Sequence, residues 1–272
     1  MMKVTLDLDR LLDEGKISQA EYERLDELAA ESTGSLAFNL LIGFGVIAVS
    51  AAALALVPGS ITAVVIGLFV LICGLALLRS GSEQWGLLAN ICILVGALMT
   101  GGGIVTEFHG SLASILSVAA IFAVAAVVAA SSLLAVLATL MLSASLGART
   151  GYFHASYFLV VQEPTLTVLV FAALAIGLYQ LSKRLPADRA QLAIAAARTG
   201  VFLVNFGFWV GSLWGERSDA RTVIIPDVVF AVVWALALIA TALWAWKRNR
   251  RWVLNTVATF AGIHFYTQWF EY

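Results

Sequence analysis

Outside the N-terminal segment, three histidines and three glutamates carry most of the acid–base or metal chemistry this sequence could perform: His109, His154, His264, Glu107, Glu163 and Glu271. Imidazole titrates between about pH 5 and 8, and with a carboxylate it ligates divalent metals. The pair Glu107-x-His109 follows "TGGG", residues 100–103, a run where a membrane helix can break and expose backbone carbonyls. Glu107, His109, His154 and His264 are therefore candidates for a shared metal or proton site. The alternative is solvated interfacial residues, which the sequence favours because loops facing water need polar side chains in any case. No cofactor is implied.

Other chemistries leave fewer traces. There is no HExxH, no GxGxxG or phosphate-binding loop, and no GxSxG elbow. Asp188, Asp219 and Asp227 fall in predicted loops or at a span end, which disfavours a paired-aspartate intramembrane protease. Ser212 and His264 could meet as a dyad on topology alone, but no flanking motif supports a nucleophile. No catalytic residue is assigned. Cys73 and Cys92 lie in apolar runs without CxxC spacing, where cysteine behaves as a small hydrophobe.

The elements that must position these residues are membrane helices. The 272 residues are 61% hydrophobic and 12% charged, against roughly 25% charged in soluble domains, and the mean hydropathy is +0.94. Stretches of roughly 20 apolar residues, enough to cross a bilayer, recur at about 36–57, 60–78, 85–106, 112–130, 132–147, 164–182, 196–214, 227–246 and 252–270. The sequence thus predicts an all-α polytopic bundle of about nine spans. Residues 111–147 carry no charge, and as a single helix they would extend about 55 Å, nearly twice the hydrocarbon thickness. Two shorter helices hinged near Ser131-Ser132 fit better.

Basic residues give an independent check, because Lys and Arg favour short cytoplasmic loops. With nine spans and a cytoplasmic N-terminus, the outside receives only Arg149, Arg217 and Arg221 of the 16 basic residues. The C-terminus then lies outside, and the expected location is a bacterial inner membrane. Trp85, Tyr152, Phe153, Tyr157, Trp214, Trp252, Trp269 and Tyr272 fall near predicted span ends, where amphipathic rings prefer the interface. The segment "GYFHASYFLVV", 151–161, reads as lying along that interface. Within the bilayer, Asn39, Asn90, Asn205, Asn255, His264 and Gln268 read as interhelical hydrogen-bonding groups. Gly207, Gly211 and Gly215, with Asn205 before them, present a small-residue face suited to internal packing or to dimerisation.

The N-terminal segment differs in kind. Residues 1–34 hold nine acidic and four basic residues, a net charge of −5, which argues against nucleic acid as its partner. In "LDRLLDEGKISQAEYERLDELAAE", 8–31, Gly15 is placed to end one helix and Ser18 with Glu21 forms a capping box for the next. Ile17 and Tyr22 hold the staple positions. The hairpin is too short to be stable alone, so the edge of Leu8, Leu11, Leu12, Leu25 and Leu28 must pack on a partner chain, on a second copy, or on the protein's own membrane face. The expected organisation is a cytoplasmic hairpin at 1–34 and a transmembrane domain at 35–272.

Leu11, Leu12, Gly15, Ile17, Ser18 and Leu25, followed closely by serial spans, resemble the bacterial membrane proteins grouped as domain of unknown function 2157. The terminal "IHFYTQWFEY" has a similar character. That resemblance implies a helical hairpin ahead of membrane spans and carries no catalytic residue. The expected function is a non-enzymatic scaffold, sensor or assembly factor embedded in the bilayer. The alternative is a transporter or channel for a small solute or ion, working through the Gly101–Gly103 break with Glu107 and His109.

Overall fold

The computed structural model describes residues 8–80, 85–147, 149–153, 156–217 and 223–271, with backbone alone at 9, 26–37, 149–153, 156–160 and 271. It is an all-α polytopic membrane protein. Two compact units divide the chain, Met1–Ile104 and Val105–Tyr272.

The first unit holds α1 (Leu8–Asp13), α2 (Gln19–Leu56), α3 (Ser60–Arg79) and all but the last three residues of α4 (Gly86–Glu107). Gly15 ends α1 as the sequence predicts. Its φ is +65°, and Gly15 and Lys16 donate back to the carbonyls of Leu12 and Leu11, satisfying orphan carbonyls of the last turn. Then α2 runs 38 residues without interruption, straight through Ser32, Thr33, Gly34 and Ser35. These are poor helix formers, each costing up to about 1 kcal/mol relative to alanine. A break there would create two new ends with unpaired backbone groups, whereas the cap at Ser18 and the apolar run Phe38–Leu56 nucleate helix on both sides. The expected boundary at 34/35 therefore falls inside a continuous helix about 57 Å long.

Helices α3 and α4 pack antiparallel with their backbones nearly touching. A Cβ added to Gly67 would lie 2.5 Å from the Thr100 nitrogen, and one on Gly96 would lie 2.4 Å from the Leu71 nitrogen. Gly74 meets Ile93 and Gly103 meets the Ser60 carbonyl in the same way. The expected break at Gly101–Gly103 is absent, and α4 is unbroken to Glu107. The glycines provide close approach between two intact helices, which keeps every backbone bond satisfied inside the segment.

The second unit contains α5 (Leu112–Ala129), α6 (Ser132–Ser145), β1 (Arg149–Phe153), β2 (Ser156–Val160), α7 (Pro164–Ser182), α8 (Ala187–Trp214), β3 (Glu216–Arg217), β4 (Val223–Ile225), α9 (Asp227–Lys247) and α10 (Arg251–Glu271). The predicted hinge forms between α5 and α6, where Ala130 is left-handed and the Ser131 hydroxyl caps α6 by accepting from Leu134. The two helices pack on each other as a hairpin. The segment expected to lie along the interface is antiparallel β1–β2, with Arg149 opposite Val160, and a second small ladder joins β3 to β4.

Among the described residues, seven helices are long and apolar enough to cross a membrane, rather than the expected nine. Helix α6 has 14 residues and extends about 21 Å, short of the roughly 30 Å hydrocarbon layer. Helix α10 has the length, 21 residues, but Asn255, His264 and Gln268 lower its hydropathy.

Contacts fix the direction of the last four helices. Gly200 faces Phe171 and Ala175 while Gly207 faces Pro164 and Thr167, so α7 and α8 are antiparallel. Asn205 bonds Trp234 and Gly211 meets the Phe230 ring, so α8 and α9 are antiparallel too. Trp234 then packs on Phe260 and His264 of α10. This alternation gathers both β-ladders at one end of the unit and both basic turns, Lys183–Arg184 and Lys247–Arg251, at the other.

Candidate functional site

The hairpin is held by local chemistry. Ser18 Oγ accepts from the Glu21 amide at 3.3 Å, and a Glu21 carboxylate oxygen accepts from the Ser18 amide at 2.8 Å, so the capping box is complete. Arg10 and Lys16 both pair with Glu14. Leu8, Leu11, Leu12, Ile17 and Tyr22 are half-buried, whereas Leu25 remains 38% exposed, so the hairpin's own packing does not close its apolar edge. The Leu28 side chain lies outside the described ones.

Two carboxyls in this hairpin are held below the ordinary 4.5. Glu14 is lowered by its bond with Lys16 and then Arg10, and Glu21 by the Ser18 amide and then the Ser18 hydroxyl. A carboxyl depressed by folding adds stability above its unfolded value, and that stability is lost as pH falls through the folded value. The amide chemical shifts of Leu12 to Tyr22 should thus hold steady from pH 7 down to about 4.5 and move to less helical values below it. Ser18→Ala should weaken the start of α2 by about 1 kcal/mol and remove the Glu21 part of that transition. Unchanged shifts in that variant would mean that the cap does not hold the hairpin.

Of the proposed metal or proton set, Glu107 and His109 stand at the end of α4 and His264 lies in α10. His109 has φ +52°, and the amides of His109 and Gly110 donate to the carbonyls of Thr106 and Val105. That is a Schellman ending for α4 with His109 at its left-handed position, one that histidine enters more readily than most residues. Glu107 and His109 are both exposed there. His264 sits in α10 with its ring edge-on to Trp234, centroids 4.9 Å apart, and its Nδ1 is buried without a partner. His154 lies outside the described residues. Among the described residues no three His, Cys, Asp or Glu side chains gather as a metal site.

The Ser212–His264 dyad does not form. Ser212 is 2% exposed and donates its hydroxyl to the Trp209 carbonyl at 2.8 Å, and no hydrogen bond joins it to His264. A serine spent on its own helix and sealed from solvent has no base to activate it.

The small-residue pattern on α8 is internal packing. Gly207 lies against Val168 and Thr167 of α7, and Gly211 against the Phe230 ring of α9, 2.5 Å from where a Cβ would sit. Gly215 is not on the helix face at all: with φ +65° it caps α8 by donating to the Gly211 carbonyl. Asn205, buried between them, donates to Val201 and accepts from the Trp234 indole at 3.0 Å, a satisfied bond between α8 and α9. Trp209 donates similarly to Thr267 of α10.

Sequence reasoning missed one feature here. A half-open apolar crevice of about 230 Å³ runs between α7, α8, α9 and α10, with Ile176, Val201, Trp234, Thr241 and Val253 among its walls. Its residues come from four helices at no fixed spacing. The compositional signal was only the abundance of Ala and Val on those helices.

No family model matches the chain, and no match is found among the curated proteins or the solved structures.

Proposed function

We propose that the protein is a non-enzymatic scaffold, sensor or assembly factor of a bacterial inner membrane, built like the domain of unknown function 2157 proteins. Its N-terminus is cytoplasmic and its C-terminus outside, and it docks a protein partner or a second copy of itself through the hairpin edge of Leu8, Leu11, Leu12, Leu25 and Leu28. One observation carries this reading. The hairpin is set on a single rigid helix that continues into the first span, and Leu25 on that helix stays exposed beside half-buried leucines.

An exposed leucine in a capped, acidic hairpin suits a partner surface that is apolar at its centre and basic at its rim, since the segment carries a net −5. A load on the hairpin would pass to the membrane helix without a flexible joint, which is the property a scaffold or sensor needs.

The test is native mass spectrometry of gently extracted protein beside the Leu11→Asp/Leu25→Asp double variant. A carboxylate in each half of the edge should remove a co-purifying partner or second copy and leave the helical content of the membrane body unchanged. Identical assemblies in wild type and variant would defeat the docking role.

A further inference from the structure

We propose that the crevice among α7–α10 is a specific site for one anionic phospholipid, which lays an acyl chain in the crevice and its phosphate against the basic end of the same four helices. Two independent observations meet here, an apolar crevice and a cluster of cations at one end of the helices that wall it.

The channel takes a chain rather than a polar solute. At about 230 Å³ it is below the roughly 300–1,000 Å³ of pockets that enclose a whole small ligand. Three of its four polar side chains are already used: the Trp234 indole donates to Asn205, Asn205 donates to Val201, and Thr256 donates to Trp252, which leaves the Thr241 hydroxyl among apolar walls. An occupant therefore meets mostly hydrocarbon. Ile176, at the wall, is 64% exposed on a helix whose composition suits a bilayer, so lipid has direct access.

The cations stand at one end of those helices. Lys183 and Arg184 follow α7 two turns beyond Ile176, and Lys247 and Arg248 stand two turns beyond Thr241 of α9. Arg250 and Arg251 stand three and two residues before the crevice residue Val253, and all six are exposed. Arg198 lies one turn from Val201 with its guanidinium 4.8 Å above the Trp252 ring, an arrangement that keeps a cation at the interface beside the crevice. Among the described residues, no carboxylate forms an ion pair with any of these cations. Basic pockets between membrane helices attract anionic headgroups near the surface.

Delipidated full-length protein would be titrated with dioleoylphosphatidylglycerol and, separately, with dioleoylphosphatidylcholine, and followed by native mass spectrometry. One phosphatidylglycerol should bind at a concentration lower by on the order of tenfold or more. Arg250→Gln/Arg251→Gln should lower that preference. Ala237→Phe or Thr256→Phe, which fill the crevice, should weaken the first binding event for both lipids. Glycerol phosphate at millimolar concentration should not displace the lipid. Equal binding of the two lipids by the wild type overturns the proposal by itself. So does undiminished binding in a monodisperse crevice-filled variant, or displacement by glycerol phosphate, which would make this a site for a soluble anion.

Discussion

Gly96→Leu should unfold the first unit at a far lower denaturant concentration than the wild type, with a loss of at least about 3 kcal/mol, the upper range for overpacked cores. A Cβ at this position would stand 2.4 Å from the Leu71 nitrogen and 2.7 Å from the Gly67 carbonyl oxygen. These are backbone atoms in the middle of a helix, and they have no rotamer by which to escape. The only relief is for α3 and α4 to separate, which undoes the contacts at Gly67, Gly74 and Gly103 together. Gly102→Ala is the control, because nothing lies within 4 Å of its added Cβ although it is one residue from Gly103. It should be neutral, or more stable by up to about 1 kcal/mol through helix propensity. The readout is loss of helicity on titrating sodium dodecyl sulfate into mixed micelles. Equal midpoints for the Gly96→Leu and Gly102→Ala variants would show that the backbones do not depend on this contact. Gly67→Leu should match Gly96→Leu, and the double variant should cost much less than the sum, because both remove one interface.

The contrast between those glycines shows which features the sequence made legible. Signals that act within a few residues were readable: Gly15 stops α1, Ser18 and Glu21 cap α2, and Ser131 starts α6 after a left-handed Ala130. Seven apolar stretches were readable as spans from length and composition alone. Whatever depends on a facing helix was not. A run of glycines serves equally for a broken helix or a close contact, and the choice rests on Ser60 and Val64, which meet Gly103 from about forty residues earlier.

On α8 the sequence left internal packing and dimerisation open, and geometry divides the pattern between two neighbouring helices. At 3.6 residues per turn, four-residue spacing drifts by about 40° per step, so Gly207 and Gly211 meet two different neighbours and Gly215 falls at the helix end. The histidines were grouped by predicted side of the membrane, which says nothing about lateral position. One of them ends a helix and another packs on a tryptophan. The crevice was invisible for the same reason, since it belongs to four helices and to none of them singly.

In the second unit the largest single effect should come from Trp234→Ala, at about 3–5 kcal/mol. Trp234 is 0% exposed and is the largest of the fully buried side chains, packed with Leu238, Val257 and Phe260 and edge-on to His264. It joins three helices: it lies on α9, hydrogen-bonds α8 through Asn205, and packs on α10. Truncation removes that volume where α8 and α10 are already joined through Trp209 and Thr267, which limits how far the helices can close on the void. Two further variants separate volume from hydrogen bonding. Trp234→Phe keeps most of the ring but leaves Asn205 Oδ1 without its donor, and Asn205→Ala removes the other partner. In a double-mutant cycle the two should couple by about 0.6–2 kcal/mol, the range for hydrogen bonds between membrane helices, so most of the alanine effect is packing. If Trp234→Ala instead costs under about 1 kcal/mol, the cavity has been refilled by collapse. Lipid entering from the crevice that Trp234 lines is the other way to fill it. The same variant titrated with phosphatidylglycerol distinguishes the two, because a lipid-filled void gains stability with lipid concentration and a collapsed one does not.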